Sequence, residues 1–186
     1  QAMFLQMAAE QAFGEGNFAR LDALTISMAH PEATALLLSG RGEIDSNFSS
    51  PPFQYHQLEQ PGMRTVLNSY DVLGGPATLF MVWTTAKFHD ANPKTYAAFL
   101  AALDEANAFI AKDRRGAAEL YVQKSRDKTP LENLLKMLND PQTQFMAAPQ
   151  SVMKTVLFMH KTGTLKARPE SWKELFFPEI HQLPGS

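Results

Sequence analysis

Apolar residues alternate between two spacings along this chain, and each spacing predicts a different kind of element. In the opening QAMFLQMAAEQAF, Met3 and Met7 stand four apart, as do Phe4 and Ala8, which predicts an amphipathic helix with no cap before it. RLDALTISM (20–28) is rich in Leu, Ile and Thr without a helical period and predicts a strand. HPEATALLLSG predicts a helix, with Pro31 in its first turn and Gly40 just past its end. A second short strand is expected over EIDSNF (43–48), so the order strand, helix, strand suggests a βαβ unit.

Beyond this unit, Ser50 followed by Pro51 is a helix-start signal, and PPFQYHQLEQPG predicts a short helix that Pro61 and Gly62 stop. MRTVLNSY is strand-like, DVLGGPA is a break, and TLFMVWTTAKF predicts a buried strand from its β-branched and aromatic residues. The pattern then turns helical. NPKTYAAFLAALDEANAFIAKD carries Asn92 as cap, Pro93 at its first position, and a stripe of Tyr96, Phe99, Leu100, Leu103 and Ile110. TPLENLLKMLND contains a capping-box pattern, Thr129 with Glu132, and PQSVMKTVLFMHKTG predicts a helix closed by Gly163. An α/β first part and a helical second part, divided near residue 74, predict two lobes.

Composition narrows the function classes. The net charge of −2 lacks a nucleic-acid footprint, and no apolar run reaches the length of a membrane span. With no cysteine there is neither a disulfide framework nor a thiolate metal site. The five histidines, at 30, 56, 89, 160 and 181, show no metal-ligand spacing, and no nucleophile-elbow, P-loop or dinucleotide motif is present. No cofactor, metal or catalytic set is therefore expected. Glu43 and Asp45 would share one strand face, as a carboxylate pair must, but this pattern is more often a solvated edge.

NFSSPPF offers a better candidate. Ser49 and Ser50 would end a strand and present hydroxyls to a ligand, while Pro51 and Pro52 remove two backbone donors. Spacing alone leaves a plain helix cap equally open. The Gly74–Gly75 pair is either a hinge or a turn, and Tyr70 and Trp83 are either ligand walls or core.

The strings LLLSGRGEID, NFSSPPF and TTAKFHDANPKTYAAFLAAL, in that order, resemble the periplasmic substrate-binding proteins of ABC importers in the nitrate/sulfonate/taurine group, which includes thiamine-precursor binders. The resemblance implies an α/β periplasmic-binding-protein type II fold. The chain would represent most of the second lobe (1–69), a hinge (70–77), and a return strand with C-terminal helices (78–186). It implies a periplasmic location, a small-molecule solute held in an interlobe cleft, and an ABC permease as partner, with no enzymatic step. Asn47, Ser49 and Ser50 would line the cleft, with Tyr70, Asp71, Gly74 and Gly75 near the hinge. The family also implies an N-terminal lobe with no counterpart here, so the start at Gln1 is expected to be that of a fragment. An exposed half-core would favour dimerisation or element swapping. The double proline speaks against a strongly anionic ligand and leaves a neutral heteroaromatic one open. The alternatives are a pyrimidine-precursor biosynthetic enzyme on the same scaffold and the effector-binding domain of a regulator.

Overall fold

The computed structural model describes residues 1–125 and 129–186, and every regular element among them is helical. The helices are α1 (Ala2–Phe13), α2 (His30–Leu38), α3 (Phe53–Leu58), α4 (Ser69–Leu73), α5 (Ala86–Ala91), α6 (Pro93–Lys112), α7 (Arg114–Lys124), α8 (Leu131–Asn139) and α9 (Val152–Lys161). Short 3-10 helices occupy Phe18–Leu24, Trp172–Leu175 and Pro178–Ile180.

This architecture corrects the expected α/β, type II periplasmic-binding fold, because no strand or sheet occurs among the described residues. Each segment with strand character meets a specific fate. Residues 20–28 begin in the 3-10 helix and continue extended from Thr25, leaving Leu24 and Ile26 exposed. Residues 43–48 form no regular element, and 63–68 run irregularly from the turn at Gly62 to the cap of α4. Residues 78–85 are free of helix until Thr85 caps α5, its hydroxyl accepting the Phe88 N–H at 3.1 Å. The expected buried strand is therefore exposed. Strand propensity expresses how well side chains fit a pleated, half-buried surface, and without a ladder partner that fit has nothing to act on.

The helical expectations fare better. Pro31 and Pro93 stand at the first turns of α2 and α6, and Gly40 and Gly163 adopt positive φ just beyond α2 and α9. The Thr129–Glu132 capping box does not cap α8, whose N-cap is Pro130 without a side-chain bond. A capping box forms instead at Ser171 and Glu174, ahead of Trp172–Leu175. In the α6 stripe Tyr96, Leu100, Leu103 and Ile110 are half-buried and Phe99 is exposed, and none is fully buried.

The chain divides into two compact units, Gln1–Gly75 with Lys154–Arg168, and Pro76–Met153 with Pro169–Ser186. In the first, α1 packs on the Phe18–Leu24 helix and α4, and α2 packs on α3. Ala9, Val72, Leu73 and Phe158 are buried, and Phe18 meets Phe158 edge-on at 6.2 Å between centroids. In the second, α7 and α8 pack through Ala118, Leu134 and Leu135. Trp172 is buried there as well, in contact with Gly185.

Candidate functional site

The turn between α2 and α3 brings Ser50 to His30. Pro31 starts α2 immediately after this histidine, which holds His30 at the helix entrance. Two groups approach its Nε2, the Gln1 Nε2 amide at 3.1 Å and the Ser50 hydroxyl at 3.4 Å. The Gln1 nitrogen can only donate, so Nε2 accepts there. The Phe53 ring lies nearly parallel to the imidazole, 5.3 Å away and inclined by 17°. A cis peptide bond joins Pro51 to Pro52 between these groups. Ser50 does not cap α3, whose N-cap is Pro52.

Two further groups of this turn lack partners. The Asn47 Nδ2 and the Ser49 Oγ are both shielded from solvent and neither has a hydrogen-bond partner among the described residues. A shielded donor without a partner costs about 1–3 kcal/mol, so such groups are rare in folded proteins and call for a physical cause. Elsewhere in the same unit the rule is met. The Gln57 amide, buried between α3 and α2, donates to the Thr34 hydroxyl at 2.7 Å.

Tyr70, Asp71, Gly74 and Gly75 lie elsewhere, on and after α4. Asn68 opens this helix by accepting the Tyr70 N–H at 2.8 Å. Gly74, at φ 71°, closes it, and the Gly75 N–H returns to the Tyr70 carbonyl at 2.8 Å. The Gly74 N–H bonds the Asp71 carbonyl, so both glycine N–H groups are committed to a Schellman-type ending. The remaining carbonyls of the last turn are met by side chains. Gln11 of α1 donates to the Val72 carbonyl at 2.8 Å, and Lys154 of α9 donates to the Leu73 carbonyl. These contacts floor an open groove of about 540 Å³, lined by Met7, Gln11, Asp71, Gly74, Lys154 and Lys161 among others. Lys161 also pairs with Glu10 at 2.9 Å and Glu15 at 3.2 Å. These carboxylates push the lysine above its ordinary range. Glu10 is held below the usual carboxylate range, first by the Gly16 N–H and then by Lys161.

The seven expected residues thus fall at two places. Asn47, Ser49 and Ser50 belong to the His30 turn, whereas Asp71 and Gly74 line the α4 groove. His30 and Phe53 were not singled out from sequence, and neither were Gln11 and Lys154. For His30, the available signal was its place directly before a helix-starting proline. No group of three or more metal-ligating side chains occurs among the described residues, and no described helix is long and apolar enough to cross a membrane. In comparison with known proteins, no family model, no curated protein and no solved structure matches the chain.

Proposed function

We propose that this chain is a solute-binding polypeptide whose contact point is the His30 turn, and that its ligand is a small, neutral, planar solute of heteroaromatic type. The observation that carries the reading is the pair of shielded, partnerless groups, the Asn47 amide and the Ser49 hydroxyl. A ligand carbonyl or ring nitrogen would accept from Asn47, and a second polar atom would meet Ser49, which can donate or accept. The stacked His30–Phe53 pair supplies a flat surface of the kind on which planar rings pack. Asn47, Ser49, Ser50 and Phe53 carry no charge, and this favours a neutral solute over a sulfonate. Such a site binds without bond chemistry, as delivery to a membrane permease in a periplasmic import system requires. That partner and that location rest on the resemblance of NFSSPPF and its neighbouring strings to importer proteins.

Thermal unfolding with a panel of neutral pyrimidines, nitrate and sulfonates tests the reading. A heteroaromatic ligand at about 100 times its Kd is expected to stabilise the protein by about 2.7 kcal/mol. In Ser49→Ala the unliganded protein is expected to be as stable as the original or slightly more so, because a shielded group without a partner is removed. The same variant should lose most of the ligand response. If no panel member shifts the unfolding temperature, or if Asn47→Ala combined with Ser49→Ala responds like the original, the proposal fails.

A further inference from the structure

The chain from Trp172 to Gly185 forms a loop whose neck and tip are held by different chemistry. At the neck the Trp172 indole is buried, and Gly185 lies so close that a Cβ there would come within 2.7 Å of it. The Phe176 and His181 rings meet the same indole edge-on, at 5.9 Å and 5.8 Å between centroids. The His181 Nε2–H donates to the Phe176 carbonyl at 2.8 Å, a bond that a neutral and a charged imidazole can both make. The tip, residues 177–180, is fastened differently. Among the described residues, its hydrogen bonds and ring contacts outside the loop are with His89 of α5 and Tyr96 of α6. Glu179 accepts the His89 Nε2–H at 2.9 Å, and the Phe177 ring lies flat on the imidazole, 4.0 Å away and inclined by 4°. Tyr96 meets Phe177 edge-on at 5.4 Å. The other ring nitrogen of His89 donates to Asp90 of its own helix at 2.8 Å. The remaining titratable groups here are the Tyr96 phenol and His181, both close enough to Glu179 to feel its charge.

We propose that the tip is a proton-operated latch, which lies on α5 and α6 while His89 is an imidazolium and swings away when that proton leaves, the neck staying closed. Two carboxylates can be served at once only by a ring with two N–H groups. A neutral imidazole has one, so one carboxylate must then face a lone pair. Asp90 is the next residue of the same helix and stays beside the ring, whereas Glu179 reaches it from 90 positions along the chain. Glu179 is therefore the group that leaves. Phe177 loses its attraction in the same step, because the quadrupole of an aromatic face holds a cation and not a neutral ring. One proton thus operates both fastenings of the tip, and opening uncovers the faces of His89 and Tyr96 that Phe177 covers. Asp90 first, and then Glu179, holds the His89 proton above the ordinary histidine range, so the latch opens on the alkaline side of that range.

The latch belongs to the second unit and does not depend on solute binding at the His30 turn. Its test is an NMR titration of the full chain from pH 5 to 9. The His89 ring protons report its charge, the Overhauser contact between the His89 and Phe177 rings reports closure, and the amides of residues 177, 179 and 180 report the tip. The contact is expected to vanish and these amides to move at the midpoint of the His89 titration, while the signals of Trp172 and Ser186 stay in place. In Glu179→Gln the new amide can accept from the charged ring or donate to the neutral one. This variant should lower the His89 midpoint and yet retain the ring contact through it. The proposal is overturned if the original protein keeps the ring contact after His89 has lost its proton or up to pH 9. It is overturned equally if tip and neck signals change together, or if Glu179→Gln opens at its own midpoint as the original does.

Discussion

His89, at the residue scale, is held through both nitrogens of its ring. Its Nδ1–H donates to Asp90 at 2.8 Å and its Nε2–H to Glu179 at 2.9 Å. The ring stacks on Phe177 at 4.0 Å, and Tyr96 meets it edge-on at 4.6 Å. Both ring nitrogens thus face carboxylates, which is the arrangement of an imidazolium. The bond to Asp90 first, and then that to Glu179, raises the histidine above its ordinary value. The bond from His89 is the main reason that Glu179 lies below the usual carboxylate range. Burial first, and then the Glu179 charge, raises the Tyr96 phenol.

The signs determine a window. A raised histidine contributes stability fully below its unfolded value of about 6.5, and this is lost as pH rises through the higher folded value. A lowered glutamate contributes fully above its unfolded value of about 4.3, and this is lost as pH falls through the lower folded value. The clasp is therefore complete between about pH 4.3 and 6.5 and weakens on either side. Unfolding temperatures of the original protein and Glu179→Gln, measured from pH 4 to 9, should differ most inside that window and converge toward pH 9. A difference that does not change with pH would show that the contact is packing alone.

The element scale is best seen in α4. Five residues are far too few to hold a helix by propensity, so its ends must be met by the surrounding chain. Asn68 serves the first turn, Gly74 and Gly75 the last, and Gln11 and Lys154 the free carbonyls. The Val72 side chain is buried, but the bond from Gln11 is only part-buried and lies at the open groove that both residues line. Gln11→Ala is expected to destabilise the protein by about 0.5–1.5 kcal/mol, the net contribution of an ordinary hydrogen bond. Denaturant unfolding would measure this, and a loss below a few tenths of a kcal/mol would mean that water replaces the amide.

The helix ends also show how much was legible in the sequence. Pro31, Pro93, Gly40 and Gly163 marked α2, α6 and α9 because their effects lie in their own φ angles and missing N–H groups. Capping by Gln11 or Lys154 was not legible, since each lies about 60 to 80 positions from its acceptor. Thr129 and Ser171 both begin a Thr/Ser-x-x-Glu pattern, yet only Ser171 forms the box. Strand-like segments were misread for a related reason: their residues state a preference for a pleated surface, but the partner strand must come from elsewhere. At the candidate site, the serines of NFSSPPF are expected at the end of a strand that the structure does not form. Their neighbour His30 is 20 residues away from Ser50, beyond any local pattern.

At the scale of the whole molecule, both units are discontinuous in sequence. The first is completed by Lys154–Arg168 and the second by Pro169–Ser186, so each waits for chain that follows the other's main segment. Met7, Gln11 and the α4 residues share a groove with Lys154, Leu157, Phe158 and Lys161. The second unit is likewise stitched by its last residue, as Ser186 accepts the Val152 N–H at 2.8 Å and donates its own N–H to the Pro149 carbonyl at 2.9 Å.

The discontinuity of the first unit has a consequence for synthesis on the ribosome. When Gly75 emerges, Leu73 and Val72 have α1 beside them, but α9 has yet to be made. The intervening 76–153 segment takes on the order of 10 s to translate at ordinary rates. During that interval the nascent first unit exposes apolar surface to chaperones and proteases. Arrested nascent chains should remain protease-sensitive in residues 1–75 until residue 168 has cleared the exit tunnel, and become protected only then. Protection of chains that end near residue 110 would show that α1 and α4 suffice without α9.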